Sequence, residues 1–454
     1  MNGPPEDVPK SMASNNTWDV IAATCAGTLI QWYDFYIFGS LATIIALHFF
    51  PPGNEVTALL GAFATFAAGF ISRPIGAMIF GRLGDIAGRK YAFTSSLLIM
   101  GASTTLMGLL PTYQQVGVLA PLALSLLRLL QGLAMGGEYG GAVVYVAEFS
   151  PDGKRGFYTS FVQGTATMGL LVSLGIVLVT RLLLGEDSFK AWGWRVPFLL
   201  SVVLVAFGYF ARRKMLESPV FEKIKAAGKT SASPLRDVLF NADNRKRVLL
   251  ALFGVVAGQA VIWYTGHFYA LYYLQTILKV DFVVASFVMA VALILATPLF
   301  VLFGALSDKY GRCNIMATGM ILGAFSYYPI YLAMDHYATL SPQLLTSTTH
   351  RPFYFFMILL VFIQIFFVTM VYGPLAAFLV ELFPPSIRYT ALSLPYHVGN
   401  AIFGGLVPII GAVLTTSTGN HLAGIAYPIA VALISALIGV LFVSEKNVKD
   451  KSHI

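Results

Sequence analysis

The sequence predicts an all-α membrane protein with twelve transmembrane helices, divided into two six-helix bundles related by pseudo-two-fold symmetry. Of its 454 residues 57% are hydrophobic and only 11% are charged, whereas soluble domains carry about 25% charged residues. Apolar runs of about 20 residues, the length that crosses a hydrocarbon layer about 30 Å thick, recur along the chain. A further observation, a set of motifs that occurs twice in the same order, predicts the two bundles.

The predicted helices follow the apolar runs in chain order. They cover residues 18–46, 57–81, 91–111, 117–146, 158–183, 195–211, 248–278, 283–304, 314–334, 352–380, 389–416 and 424–443. The widest polar segment, residues 212–247, is predicted as a linker between one bundle at residues 18–211 and another at residues 248–443. Polar tails are predicted at residues 1–17 and 444–454.

Basic residues are distributed unevenly over the polar segments. Most of the 29 Lys and Arg residues lie in loops and tails that share one side of the lipid bilayer with both termini. By the positive-inside rule this side is predicted to be the cytoplasm. Residues 1–17 lack the basic start and short apolar core of a secretory signal. The sequence pI of about 9.3 therefore indicates membrane topology rather than nucleic-acid binding.

Three pairs of motifs indicate a duplicated unit. The loop G-x-x-x-D-x-x-G-R-K at residues 81–90 returns in weaker form at residues 304–312. The other two pairs are Glu148 and Arg155 with Glu381 and Arg388, and Trp32-Tyr33 with Trp263-Tyr264. Motifs repeated in one order at similar offsets predict two homologous halves, with a substrate site between them near the middle of the membrane.

The duplicated loop resembles the signature of the major facilitator superfamily. Further segments resemble the metabolite:proton symporter family within it: residues 27–35 (GTLIQWYDF), 73–76 (RPIG), 128–141 (RLLQGLAMGGEYGG), 192–197 (WGWRVP) and 217–219 (ESP). Members of that family carry 2-oxoglutarate, citrate, shikimate, or zwitterions such as proline and betaine. One position departs from the family pattern, because Gln31 stands where a glutamate usually precedes the aspartate of the first helix.

The resemblance implies the major facilitator fold and proton-coupled import of a small organic acid anion by alternating access. It also implies a multi-pass protein of the bacterial inner membrane, without a cofactor. Because one chain contains both halves, it is expected to function as a monomer. Three alternatives stay open: a proton symporter of a zwitterionic osmolyte, a passive uniporter, since Gln31 removes one expected acid, and a non-transporting receptor.

Four ionisable residues fall within predicted helices of the first half: Asp34, Arg73, Arg128 and Glu138. A charge at the centre of a bilayer costs about 3 kcal/mol on insertion scales, so these residues need partners or water. Their depths predict an Asp34–Arg128 pair in the cavity and an Arg73–Glu138 pair nearer the cytoplasm. We expect Asp34, Glu138 and Arg128 to couple transport to protons, since protonation of Asp34 would free Arg128 for a substrate carboxylate.

The second half offers fewer charges, because Thr265 stands where the match of Asp34 falls. Its histidines and tyrosines are predicted to recognise the substrate, with packing inside the bundle as the alternative. The predicted substrate-binding residues are Arg128, Tyr33, Gln163, Gln259, Tyr264, His267, Tyr269, Tyr272, Tyr372, Tyr396, His397 and Asn400.

The duplicated loops are predicted to control conformation. Their glycines permit tight connections, Asp85 is expected to cap the third helix or a neighbouring one, and Arg89 to pair with Glu148. The predicted gating residues are Arg73, Gly81, Asp85, Gly88, Arg89, Glu148, Arg155, Asp308, Arg312, Glu381 and Arg388.

Enzymatic function is not expected. The sequence has no P-loop lysine motif, no metal-ligand spacing and no nucleophile triad. Its two cysteines, Cys25 and Cys313, fall in a predicted helix and a polar loop, so they predict no disulfide framework.

Overall fold

The chain folds into helices throughout the part that the computed structural model describes, residues 17–53, 55–340 and 351–443. The predicted tails lie outside these residues, apart from Thr17. The first half comprises α1 (Thr17–Ser40, continued after a 63° bend by Ala42–Phe49), α2 (Glu55–Ile86), α3 (Arg89–Leu109), α4 (Leu119–Phe149), α5 (Arg155–Leu184) and α6 (Arg195–Arg213). The second half comprises α7 (Ala242–Ile277), α8 (Phe282–Tyr310), α9 (Arg312–Leu340), α10 (Arg351–Leu382), α11 (Arg388–Thr418) and α12 (Ala426–Phe442).

These helices are long and apolar enough to cross a membrane eleven times, or twelve if the bent α1 counts as one span. The predicted spans are therefore confirmed in number and order. Many helices extend beyond the apolar runs, and residues 242–247 of the predicted linker form the first turns of α7. The Asn241 side chain caps this extension by accepting from the backbone N–H groups of Asp243 and Asn244.

The linker between the halves contains two short helices, Pro219–Ala226 and Pro234–Phe240. Proline occupies the first turn of each, where its missing N–H has no intrahelical partner to lose. The linker is therefore a folded element, as the Ser218 cap on Phe221 N–H also indicates. A hydrogen bond from the Tyr145 hydroxyl of α4 to the Leu216 carbonyl joins it to the bundle.

Three π-helical turns interrupt α7, at Leu252–Val256, Thr265–Tyr269 and Tyr273–Ile277. Each π turn inserts extra backbone and rotates the residues that follow it. Tyr269 nevertheless stays close to Tyr272 and Tyr273, at ring-centroid distances of 5.7 and 6.2 Å. Tyr269 and Tyr273 are buried against Tyr331 of α9, at ring-centroid distances of 5.6 and 4.8 Å.

The two halves meet through two equivalent helix pairs. Helix α2 packs on α11, and α5 packs on α8. Because α2 corresponds to α8 and α5 to α11 in the duplicated unit, the two interfaces are related by the pseudo-two-fold axis. In the second interface, Gly156 and Gly304 allow the backbones to touch, since a Cβ on Gly156 would collide with the Gly304 carbonyl oxygen.

The connections that carry the duplicated motifs all lie at one end of the bundle, here called the motif end. They are residues 87–88, 150–154, 311 and 383–387. The bundle is closed at this end by contacts between the halves.

Candidate functional site

Two aspartates at the motif end each cap a helix of the opposite half. Asp85 accepts from the backbone N–H groups of Tyr389 and Thr390 at the start of α11, at 3.2 and 2.9 Å. Asp308 accepts from the N–H groups at the start of α5, those of Gly156 and Phe157, at 2.9 and 2.8 Å. The carboxylates satisfy N–H groups that the helices leave unpaired, and their charge suits the positive end of the helix dipole. Closure of the motif end is therefore built into both repeats.

The arginines of the duplicated motifs hold these aspartates in place. Arg89 pairs with Asp85 at 2.9 Å and lies 3.7 Å from Glu148, which in turn binds Arg388 of the other half at 2.9 Å. The equivalent Arg312 pairs with Asp308 at 2.6 Å and Glu381 at 3.0 Å. Arg155 and Arg388 occupy equivalent positions in the sequence but make different contacts. Arg388 binds Glu148 of the other half, whereas Arg155 pairs with the exposed Asp152 at 3.2 Å.

The linker reinforces the first of these clusters. Glu217 accepts from the backbone N–H groups of Arg89 and Lys90 at 3.0 and 3.2 Å, so it caps α3 in the position once expected for Asp85. Burial raises the pKa of Glu217, although its N–H donors and Arg89 act in the opposite direction. Ser218 donates to Glu148. Glycine is required at residue 88, where φ is +126° and a Cβ would collide with Glu217.

Replacing Asp85 with Asn is expected to lower the turnover rate by about 10- to 100-fold and to change substrate affinity little. The substitution removes a buried charge partner and weakens a helix cap. Together these changes lower the stability of the closed conformation by more than about 1 kcal/mol, and they do not affect the open conformation. Transport kinetics of the variant would measure the effect. Asp308→Asn is the matched control with a smaller expected loss, because Arg312 keeps its own partner Glu381. A raised KM with unchanged turnover would contradict this role.

Glu138 does not pair with Arg73, so that prediction is wrong. Its carboxylate binds both terminal nitrogens of Arg212 and accepts from Ser96 Oγ at 2.8 Å. The reason is that α6 continues to Arg213 and carries Arg212, which was assigned to the linker, back into the bundle. The Arg212 guanidinium is fully buried, 3.4 Å above the ring of Phe93. The sequence did contain a signal for this pair. An acid inside a predicted helix needs a cation, and two arginines, Arg212 and Arg213, directly follow the predicted sixth helix.

Glu138→Gln is expected to destabilise the protein by about 3–5 kcal/mol, because it leaves the Arg212 cation buried without a counter-charge. Thermal unfolding in detergent would show this as a lowered midpoint. The double variant Glu138→Leu with Arg212→Met should recover most of the loss, since it removes both charges. Glu186→Gln, in the exposed pair with Arg181, is the control and should not shift the midpoint.

Asp34 and Arg128 do not form the predicted pair either. Asp34 accepts from Ser201 Oγ of α6. The guanidinium of Arg128 donates to Gln131 and lies against the rings of Phe35, Phe38 and Phe66, at 4.2, 4.7 and 4.7 Å. Gln131 separates the two charges, because it donates to the Asp34 carbonyl at 3.1 Å and to Thr104 at 2.8 Å. Within the described residues Arg128 therefore has no carboxylate partner and does not line the cavity between the halves.

That central cavity holds Arg73. Its free volume of about 10 Å³ is room for about one water molecule. The residues that line it come from both halves: Trp32, Arg73, Gln259, Trp263, Tyr264, Tyr372, Tyr396 and Asn400. Five of these were predicted to bind substrate, Arg73 was predicted to act in gating, and Trp32 and Trp263 were noted only as a repeated motif.

Several polar groups of the central cavity are hydrogen-bond donors without an acceptor among the described residues. Arg73 lies over the rings of Phe35 and Phe70 at 4.2 and 4.0 Å. Its Nε and Nη2 atoms have no acceptor within the described residues, and neither do Gln259 Nε2 and Trp263 Nε1. A guanidinium presents a planar set of donors that matches a carboxylate. These donors therefore match an anion that supplies the missing acceptors once the cavity widens beyond its present volume.

The other predicted substrate-binding residues lie around the central cavity or away from it. Tyr33 donates to the Pro197 carbonyl at 2.8 Å, a contact between α1 and α6. His267 stacks on Trp263 at 4.4 Å, and its Nε2 lies 3.5 Å from Thr167 Oγ1 of the first half. Gln163 and His397 lie behind the tyrosines of the lining. Tyr269 and Tyr272 pack together elsewhere, with Tyr272 half-buried.

Comparison with known proteins gives two family matches. A sugar (and other) transporter family matches residues 20–238, and the major facilitator superfamily matches residues 251–453. The chain is similar to the inner membrane metabolite transport protein YhjE of Escherichia coli, with 36% identity over 90% of this chain and 91% of that protein. It is also similar to the alpha-ketoglutarate permease of E. coli, with 34% identity over 93% of each chain.

A third relative is a putative proline/betaine transporter of Staphylococcus aureus, 32% identical over 92% of this chain and 86% of that protein. Among solved structures, the proton:xylose symporter XylE bound to 6-bromo-6-deoxy-D-glucose superposes with a TM-score of 0.73. The superposition covers 94% of this chain and 96% of that one at 18% identity. At this identity the likeness shows the fold.

Proposed function

Because the chain belongs to the major facilitator superfamily and is a multi-pass membrane transporter of metabolites, we propose that it is a proton-coupled symporter that imports a small organic anion by alternating access. Its family and relatives are transporters rather than enzymes. Like YhjE it is assigned to the inner membrane, with both termini in the cytoplasm. Both halves of the transport path lie in one chain, which supports function as a monomer.

The observation that carries the anion assignment is the unneutralised Arg73. Within the described residues no carboxylate pairs with this buried guanidinium. A buried cation is costly without a partner, so a substrate carboxylate that fits the central cavity gains a strong, two-bonded contact. The earlier assignment of this contact to Arg128 is replaced, because Arg128 is enclosed by phenyl rings away from the central cavity.

Asp34 is the proposed proton carrier. Its carboxyl group is buried against Ser201 and has no cation partner within the described residues. Burying a carboxylate without a counter-charge is costly, so binding a proton offsets part of the cost of closing the bundle around it. Gln131 contacts both Arg128 and the Asp34 backbone, which supports a switch in which Asp34 and Arg128 exchange partners when the proton leaves.

The motif end is proposed to face the cytoplasm, where the positive-inside rule places its basic residues. The contacts of Asp85 and Asp308 close this end while the central cavity has room for about one water molecule. We therefore assign the structure to a conformation that is closed towards the cytoplasm. Breaking the two caps would open the central cavity to that side.

Uptake into proteoliposomes with an imposed pH gradient tests the proposal. A thermal-shift screen over mono-, di- and tricarboxylates first identifies a ligand, and uptake of that ligand is then measured with and without the gradient. We expect accumulation above equilibrium only with the gradient. Equilibration without accumulation would indicate a uniporter, and binding without movement would indicate a receptor.

A zwitterionic osmolyte is the second candidate substrate. Five aromatic residues line the central cavity together with Arg73: Trp32, Trp263, Tyr264, Tyr372 and Tyr396. Aromatic faces bind quaternary ammonium groups through cation–π attraction, and Arg73 would bind the carboxylate of the same molecule. Including betaine and proline in the thermal-shift screen distinguishes the two candidates, since an organic acid without a cation gains nothing from the aromatic faces.

A further inference from the structure

Four residues meet on the pseudo-two-fold axis below the central cavity. Tyr139 of α4 and Gln163 of α5 belong to the first half, and Tyr372 of α10 and Tyr396 of α11 belong to the second. Their positions correspond in the duplicated unit: the spacing that relates Tyr139 to Tyr372 and Gln163 to Tyr396 is the one that relates Glu148 to Glu381. The duplication thus places two residues of each half at equivalent sites.

The contacts among the four residues repeat the same symmetry. Within the first half, Gln163 Nε2 donates to Tyr139 OH at 3.3 Å, and within the second half the hydroxyl groups of Tyr372 and Tyr396 are 2.8 Å apart. Between the halves, Gln163 Nε2 donates to the Tyr372 carbonyl at 2.8 Å. The matching contact is a parallel stack of Tyr139 on Tyr396, with ring centroids 3.5 Å apart and an angle of 5°. The four residues close into one ring of contacts across the axis.

This ring lies between the central cavity and the motif end. At 1.5 Å per residue, its members are about 12–15 Å along their helices from the motif end. Trp32, Arg73 and Asn400 of the cavity lining are about 18–23 Å from it by the same measure. Tyr139, Gln163, Tyr372 and Tyr396 are all buried, with exposed fractions of 1–4%. Solute that leaves the central cavity towards the motif end must pass through them.

We propose that Tyr139, Gln163, Tyr372 and Tyr396 form the seal that separates the central cavity from the motif end. The seal is distinct from the charged clusters around Asp85 and Asp308, which lie closer to the motif end. Opening it requires separation of the Tyr139–Tyr396 stack and of the Gln163–Tyr372 bond, the two contacts that join the halves. The other two contacts, Gln163–Tyr139 and Tyr372–Tyr396, each lie within a single half and can move with that half.

The seal also has a direct route to the bound solute. Tyr372 and Tyr396 line the central cavity beside Arg73 and at the same time form the second-half side of the seal. In the pair of hydroxyl groups one donates to the other, which leaves one O–H free to donate elsewhere. Resting on the proposed function, we assign that O–H to the substrate carboxylate held by Arg73. Because Tyr372 and Tyr396 each contact the opposite half, whichever of the two binds the substrate also belongs to the seal, so substrate binding changes the strength of the seal.

Cysteine accessibility tests the seal without any substrate. The reporter is Asn400→Cys, in the lining of the central cavity, in a chain whose two native cysteines are replaced by serine. A membrane-impermeant methanethiosulfonate reagent is applied to each face of sealed vesicles, and a separate Lys229→Cys chain, exposed in the linker, identifies the face of the motif end. With Tyr139→Ala we expect the reporter to react about five- to tenfold faster from the motif end, as loss of an aromatic stack implies.

Two further variants keep the result interpretable. Tyr139→Phe retains the ring and should leave the reaction rate within about twofold. Gln163→Leu removes both amide contacts and should raise the rate in the same direction as Tyr139→Ala, so the proposal does not depend on one variant folding. Unchanged rates from the motif end in folded Tyr139→Ala and Gln163→Leu chains would overturn it. Because no ligand is used, failure of this test and failure of the anion assignment are separate outcomes.

Discussion

The Arg73→Gln variant is expected to bind the transported anion at least about 30-fold more weakly than the parent chain. The loss corresponds to about 2 kcal/mol or more, the usual effect of removing one partner from a buried, hydrogen-bonded charge pair. It follows from the position of Arg73 in the central cavity with two nitrogens that have no acceptor within the described residues. Isothermal calorimetry with the anion identified by the thermal-shift screen would measure it.

The stability of the same variant provides a second measurement. Without substrate, Arg73 is a buried cation whose neighbours are phenyl rings, so removing the charge should leave the unfolding midpoint unchanged or raise it. Loss of binding together with retained stability excludes misfolding as the cause. Arg73→Lys should recover part of the affinity, since lysine keeps the charge but not the planar pair of donors.

Arg128→Gln is the matched control. Arg128 is also a buried arginine of the first half, but it is enclosed by Phe35, Phe38 and Phe66 and does not line the central cavity. We expect its affinity for the anion to stay within about threefold of the parent value, far less than the effect of a lost charged hydrogen bond. If Arg128→Gln abolished binding and Arg73→Gln did not, the anion site would have to be moved to Arg128.

The second prediction concerns coupling. The Asp34→Asn variant is expected to lose accumulation driven by a pH gradient and to retain exchange of substrate across the membrane. Asparagine still accepts the hydrogen bond of Ser201 but cannot take up a proton. The variant therefore keeps the packing of the closed state and loses proton binding at residue 34. Accumulation and counterflow, measured in the same proteoliposomes, separate the two activities.

Asp281→Asn is the control for the coupling experiment. Asp281 caps α8 by accepting from the N–H groups of Val283 and Val284, and asparagine is an equally good cap. Its accumulation should equal that of the parent chain. Undiminished accumulation by Asp34→Asn would remove Asp34 from the coupling mechanism and leave Glu138 as the other acid predicted to couple transport to protons.

The fold was largely accessible from the sequence because its strongest signals are local. Apolar runs set the helices, and loops with glycine, aspartate and arginine set the duplication. Interruptions of the helices were less accessible. No local pattern in the sequence predicted the π turns of α7 at Thr265–Tyr269 and Tyr273–Ile277.

The charge partners could not be predicted because depth along a helix does not determine which face a side chain occupies. Asp34 and Arg128 have similar depths, yet Gln131 lies between them. Glu138 was matched to Arg73 by depth, whereas its partner Arg212 reaches it from the end of α6. The assignment of Arg73 to gating followed from that false pair. Once Arg212 neutralises Glu138, Arg73 is free to bind an anion.

The crossed caps at the motif end have a thermodynamic consequence. Two backbone N–H···O bonds to Asp85 and two to Asp308 form these caps, beside the ion pair of Glu148 and Arg388 that also joins the halves. Each helix cap contributes about 0.5–2 kcal/mol. Together the two caps stabilise the closed state by about 1–4 kcal/mol, which is comparable to what differential binding of a ligand can supply. The caps can therefore break and re-form in a transport cycle without an external energy source such as ATP.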